Sequence, residues 1–159
     1  MLEQILNEIK IVKIRDVTTP SRSHKYDAGL DFYIPNHNSE DLHFPIYLTS
    51  KESILIPSGV KMELPPGYSM IFLNKSGNAS KLKLDVLAQV IDSGYSGEIH
   101  LNVINNGNQS VKLYNGMKIL QGIIIRIELP KVVLIKESEL YANRNTNRGT
   151  KGFGSTNNS

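Results

Sequence analysis

The sequence predicts an all-β protein, a sandwich or barrel of short strands. Three observations carry this expectation. Short runs rich in Ile, Val, Leu, Tyr and Phe are separated by Pro- and Gly-bearing turns at roughly 8–12-residue spacing. Within residues 84–104, Val86, Ala88 and Val90 fall on one face, and Ile99, Leu101 and Val103 alternate with Glu98, His100 and Asn102. This is the period-two pattern of half-buried strands. Residues 118–129 (KILQGIIIRIEL) form the longest apolar run, with Ile119, Ile123, Ile125 and Ile127 facing one way, Ile124 the other, and Gln121 inserted on the apolar side.

Taken in order, Leu2, Ile5, Leu6 and Ile9 recur at helical spacing, so residues 2–9 form two helical turns or lead into a strand around residues 9–14. Thr18, Thr19, Pro20 and Ser21 break regular structure. Residues 30–34 read as a strand ended by Pro35, and residues 36–53 as polar and irregular. Residues 54–56, 60–64 and 68–73 are three more strands, punctuated by Pro57-Ser58-Gly59 and Pro65-Pro66-Gly67. Residues 76–83 lack alternation and suit one or two helical turns. The central stretch, 84–104, reads as two strands folded back on a turn from Asp92 to Gly97, where Gly94 and Gly97 permit backbone angles other residues resist. Strands at 111–113, 118–129 and 132–135 complete the domain, which is expected to span residues 1–140. From Tyr141 the chain is rich in Asn, Gly, Ser and Thr and nearly free of aliphatics, so residues 141–159 are expected to be a flexible arm when free.

Composition bounds the function. A chain of 159 residues with net charge +3 is most simply one domain, and its scattered Lys and Arg form no stripe for stable nucleic-acid binding. The absence of cysteine excludes disulfides, thiolate metal sites and Cys nucleophiles. No apolar run is long enough to span a bilayer, and no signal pattern opens the chain, so a soluble, cytoplasmic protein is expected.

Several groups can carry chemistry. The 92–97 turn sets an acid, a phenol and free backbone groups at one hairpin mouth, and Asp92 is the best candidate for a general base. The tail segment 148–156 (RGTKGFGST) offers two cations and hydroxyls for a polyphosphate, and Phe153 offers a stacking face for a base. It matches neither a Walker loop nor a dinucleotide fingerprint. Lys75, Ser76 and Gly77 suit either an anion at a helix start or a simple cap. Asp31 is a buried, hydrogen-bonded acid or part of a metal-linked network, and Gln121 either ties strands together or touches a ligand. The histidines show no metal-ligand spacing.

AGLDFYIP (28–35), NKSGNAS (74–80), VIDSGYSGE (90–98), GMKILQG (116–122) and RGTKGFGST (148–156), in that order, resemble the five motifs of the homotrimeric dUTPases, the deoxyuridine 5′-triphosphate nucleotidohydrolases. The resemblance covers nearly the whole chain. It implies a jelly-roll-like β-fold with one short helix, three active sites at subunit interfaces, and hydrolysis of dUTP to dUMP and pyrophosphate. Asp92 would activate the water that attacks the α-phosphorus. The central hairpin, including Val90, Ile91 and His100, would hold uracil, with Tyr95 against the deoxyribose. Lys75, Ser76, Gly77 and Gln121 would bind phosphates from a neighbouring subunit. Arg148, Gly154, Ser155 and Thr156 would clamp the γ-phosphate while Phe153 stacks on the base. Mg²⁺ would ride on the triphosphate without direct protein ligands, with Asp31 in its outer shell. Residues 36–53 are left as a candidate surface for a protein partner. Lys75 stands where the family usually has Arg, Leu87 and Gln89 where small residues are common, Asn78 for a usual Leu and Asn157 for a usual Gly. Two other readings share the fold: a dCTP deaminase-like enzyme, and a non-catalytic nucleotide-sensing or protein-interaction module.

Overall fold

A computed structural model of the chain describes residues 8–36, 42–142 and 144. Two units divide it, residues 1–128 and 129–159. Among the described residues the first is built of eleven short strands: β1 (Lys10–Lys13), β2 (Leu30–Tyr33), β3 (Ile46–Leu48), β4 (Ser53–Pro57), β5 (Val60–Glu63), β6 (Tyr68–Asn74), β7 (Leu84–Val86), β8 (Val90–Asp92), β9 (His100–Asn105), β10 (Val111–Leu113) and β11 (Lys118–Arg126). One short, wide helical turn, Asn78–Leu82, stands between β6 and β7. All pairings are antiparallel and form sheets ordered β2-β11-β6-β8 and β4-β9-β7, with two-stranded ribbons β1-β5 and β10-β3.

The inner faces of the sheets share one apolar core. Phe32 and Phe72, on neighbours of β11, meet edge to face at 4.9 Å between ring centres, a favoured aromatic geometry. Leu101 and Val103 of β9, Ile56 of β4 and Met70 of β6 are fully buried with them. At the middle of β11 a side chain on Gly122 would come within 2.6 Å of the Met70 sulfur and 3.2 Å of Phe32, so only glycine lets this strand lie flat under the aromatic pair. Buried Asn105 donates to the carbonyls of Leu48 (2.9 Å) and Gln109 (2.8 Å), closing the turn that follows β9.

Three expectations change in this unit. Residues 36–53 are not wholly irregular, because Ile46–Leu48 forms β3 against β10. Three residues are too few to show a period. The 84–104 stretch is not a simple hairpin: β7 pairs with β9, whereas β8 crosses to the other sheet and pairs with β6. Accordingly Ala88 and Val90 are exposed while Val86 is buried. In β11 a register shift between Lys118 and Leu120 buries both Ile119 and Leu120, so the core face beyond it is Gly122 and Ile124, and Ile125 is exposed. A bulge inverts the facing of everything after it. The helical spacing of residues 2–9 lies mostly outside the described residues.

The second unit, in its described part, is an extended segment and a single turn at Glu137–Glu139. Residues 132–135 were expected to be a strand but pair with none among the described residues, and Val132 and Leu134 are 92% and 97% exposed. The run of four aliphatics is continuous rather than alternating, so it carried no period-two signal for a strand. The expected domain boundary at residue 140, a compositional one, lies within this unit. Arg148, Phe153, Gly154, Ser155 and Thr156 lie outside the described residues. Among the described residues, no helix is long and apolar enough to cross a membrane.

Candidate active site

The ladder joining β7 to β9 ends abruptly. Val86 faces Val103, the Leu87 amide still donates to Asn102 O at 3.0 Å, and then the strands part. Gln89 O instead accepts from the Phe72 amide at 2.8 Å, and Val90, Ile91 and Asp92 zip onto Ile71, Met70 and Ser69. The other jaw, residues 99–101, is held by β4 and β5: the Ser58 amide donates to Ile99 O (3.0 Å) and the Ile99 amide to Val60 O (2.9 Å). The result is an open mouth between two sheets. β8 is the edge strand of its sheet among the described residues, so the backbone groups on its outer side have no strand partner there.

Asp92 ends β8, exposed, at the corner of this mouth. Its carbonyl accepts from the Tyr95 amide at 3.1 Å, which closes the turn. The Tyr95 hydroxyl donates to Glu98 O at 2.7 Å. Gly97 makes this possible, since a Cβ there would stand 2.6 Å from the phenol oxygen. His100 Nδ1 lies 2.9 Å from the same Glu98 carbonyl. The structure thus brings Asp92, Tyr95, His100, Val90 and Ile91 to one place. Beside the turn, a groove of about 420 Å³ runs between Tyr95 and the β1–β5 ribbon.

A second cluster forms on the outer face of the four-stranded sheet. Asp31, on β2, lies opposite Gln121 of β11. Its carboxylate, 5% exposed, accepts from Lys75 on one oxygen, and on the other from Lys118 (2.9 Å) and Ser23 (2.8 Å). Gln121 donates to Asn74 O at 2.8 Å, next to Lys75, and a side chain on Gly29 would strike its amide oxygen. Ser76 and Gly77 follow, exposed. Asn78 donates to the carbonyls of Lys118 and Ile119 (both 2.9 Å) at the bulge, which gives this departure from the family pattern a structural purpose. The sequence reading missed Lys118 and Ser23. It also missed Arg15, which forks onto Glu98. Only Lys118 lay inside a recognised motif.

Burial alone would push the Asp31 and Glu98 carboxyls up. Hydrogen bonds from Lys75, Lys118 and Ser23 to Asp31, and from Arg15 and the Gly59 amide to Glu98, outweigh it and hold both below the ordinary carboxylate range. A group whose pKa is lower folded than unfolded contributes stability that is present above the ordinary range and lost as acid protonates the folded form. The thermal midpoint is therefore expected to fall as pH drops through and below that range. Glu98→Gln, which cannot titrate, should make the fall shallower, and an identical slope would show that Glu98 is no better held folded than unfolded.

The two clusters sit at opposite ends of β6. Asp92 pairs with Ser69 at its start, and Lys75 follows its last residue, Asn74. Six residue steps at ~3.3 Å put them about 20 Å apart.

The dUTPase family model matches residues 15–157. The deoxyuridine 5′-triphosphate nucleotidohydrolase of Crocosphaera subtropica is 36% identical over 152 residues, covering 94% of this chain and 98% of its own. Among solved structures, the dUTPase of Staphylococcus bacteriophage 80alpha with dUPNHPP superposes with a TM-score of 0.79 at 25% identity, over 95% of this chain and 99% of that one. A mutant dUTPase from phage phi11 of S. aureus, which coordinates a structural Mg(II) ion, has the same fold at a TM-score of 0.73 and 23% identity, over 84% of this chain and 99% of that one.

Proposed function

The chain belongs to the dUTPase family, and from that premise we propose that it hydrolyses dUTP to dUMP and pyrophosphate at sites shared between subunits of a homotrimer. The observation that carries this reading is the open mouth between β8 and β9 with Asp92 at its corner, set about 20 Å along β6 from the lysine cluster. With its α-phosphate one sugar away from a base in the mouth, the nucleotide would take its phosphate contacts from the lysine cluster of a second copy. Exposed aliphatics such as Leu73, Val90, Ile125 and Leu134 offer apolar surface for the association.

Uracil would lie against the free edge of β8, where backbone groups pair with its polar edge and Tyr95 excludes a 2′-hydroxyl. Asp92 would accept a proton from the attacking water. As that oxygen bonds to the α-phosphorus, the bond to the β-phosphate breaks and pyrophosphate leaves. Lys75, Ser76, Gly77 and Gln121 of a neighbour would bind the phosphates, and residues 148–156 would close over them, with Phe153 on the base. Among the described residues, no three His, Cys, Asp or Glu side chains converge as a metal cage. Mg²⁺ would be carried by phosphate oxygens and water, where it offsets charge on the triphosphate. Asp31, one oxygen of which has Lys75 as its partner among the described residues, would offer a lone pair to a water of that shell. Residues 36–53, with Tyr47 exposed on β3, are the surface we would assign to a protein partner.

Two measurements test the reading. Pyrophosphate should be released from dUTP, and ammonia release from dCTP instead would transfer the protein to the deaminase alternative. Light scattering should report a trimer. An active monomer would remove the shared site.

A further inference from the structure

The turn that carries Tyr95 has little stiffness of its own. It spans only residues 93–97, two of them glycine. Two hydrogen bonds hold Tyr95: its amide to Asp92 O, and its hydroxyl to Glu98 O. The second depends on where the Glu98 peptide points, and the Glu98 side chain sets that from outside the turn. Arg15 lies just after β1 and gives a two-pronged bond, Nε to Oε1 and Nη2 to Oε2, each at 3.0 Å. The Gly59 amide adds a third at 2.8 Å to Oε1. Gly59 is at φ +74°, and a Cβ there would stand 3.0 Å from Arg15 Cβ and 3.1 Å from a Val17 methyl, so this position is shaped around the clamp. The Glu98 side chain is 13% exposed, so its charge is largely withdrawn from water and depends on these partners.

We propose that Arg15 is a positioning residue for sugar selection: by gripping Glu98 it fixes the carbonyl that holds the Tyr95 hydroxyl, and so keeps the ring where it excludes a ribonucleotide. The inference rests on the reading of Tyr95 as the wall against the 2′-hydroxyl. Arg15 itself touches no substrate. Arg15, 83 residues away in sequence from Glu98, links the segment that follows β1 to the discrimination step. When the grip is released the Tyr95 ring can swing, which opens room for a 2′-hydroxyl while leaving Asp92 on β8, held by β6, in place.

The test compares kcat/KM for dUTP and for UTP, read as pyrophosphate release, in the full-length wild type and in Tyr95→Ala, Arg15→Ala, Arg15→Lys, Glu98→Gln and the Arg15→Ala/Tyr95→Ala double variant. Tyr95→Ala should lose most of the preference for dUTP. Arg15→Ala should lower that preference about tenfold, chiefly through a gain on UTP with kcat for dUTP nearly kept. Arg15→Lys should fall between, because one ammonium cannot span both carboxylate oxygens. The double variant should be no less selective than Tyr95→Ala alone, the mark of a residue that acts through another. Loss of rate on both substrates by one common factor would overturn the proposal as a merely structural effect. If Arg15→Ala fails to fold, wild-type selectivity in both Arg15→Lys and Glu98→Gln overturns it. Full selectivity in Tyr95→Ala would instead bring down the reading of Tyr95, whereas selectivity lost there and kept in the Arg15 variants would sink this inference alone.

Discussion

Asp92→Asn is expected to lower turnover of dUTP by roughly 10²–10⁴-fold, the usual worth of a positioned general base, while nucleotide binding is kept. The amide has nearly the shape of the carboxylate but cannot take a proton from the attacking water. Stability should hardly change, because Asp92 is exposed and its structural bonds, the β8–β6 ladder and the carbonyl that accepts from the Tyr95 amide, belong to the backbone. Those bonds survive the substitution. Single-turnover rates with dUTP, set beside the affinity for a non-hydrolysable analogue, separate the two effects. Near-wild-type turnover would mean that another group serves as base, and weakened analogue binding with a proportionate loss of rate would move Asp92 from proton transfer to substrate anchoring.

Removal of residues 144–159 is expected to leave a folded trimer that binds dUTP weakly and turns it over more slowly by on the order of 10²–10³-fold, comparable to deleting fixed charge contacts at a reacting centre. Among the described residues the core face ends at Ile124, ahead of the removed segment, so the packing described for the β-domain should be kept. What goes is chemical: the Arg148 guanidinium, the hydroxyls of Ser155 and Thr156, and the Phe153 ring. Phe153→Ala should cost about 1–3 kcal/mol, the range for stacking on a base. Arg148→Ala should weaken the triphosphate and leave dUMP binding almost unchanged. Equal turnover by truncated and full-length protein would show that the segment has no part in the reaction.

Much of this was legible in the residues. The alternation in 99–103 and the short aliphatic runs between Pro/Gly turns marked the strands, because a half-buried strand must repeat every two residues to keep one side dry. The turn from Asp92 to Gly97 was also recognisable, though not for the expected reason: neither Gly94 nor Gly97 has a positive φ, and of the two only Gly97 lacks room for a side chain, against the Tyr95 ring. Partner choice was not legible. Leu84–Val86 and Val90–Asp92 look alike as sequence, yet one joins β9 and the other β6. Nothing local distinguishes them, and that divergence is what opens the mouth.

The sequence by itself determined which segments are extended, where the chain turns, and which groups are present for chemistry: an acid, a phenol, lysines, and an amide on an apolar strand. These follow from local sterics and from the need to bury every second side chain. Only the tertiary structure decided that Lys118 shares Asp31 with Lys75, that a bulge at Ile119 changes which side of β11 meets the core, and that Arg15 reaches Glu98. Each of these is a contact between residues far apart in the chain. An antiparallel pairing brings such residues together only when its register is chosen, and register is selected by the packing of the whole core rather than by any one strand.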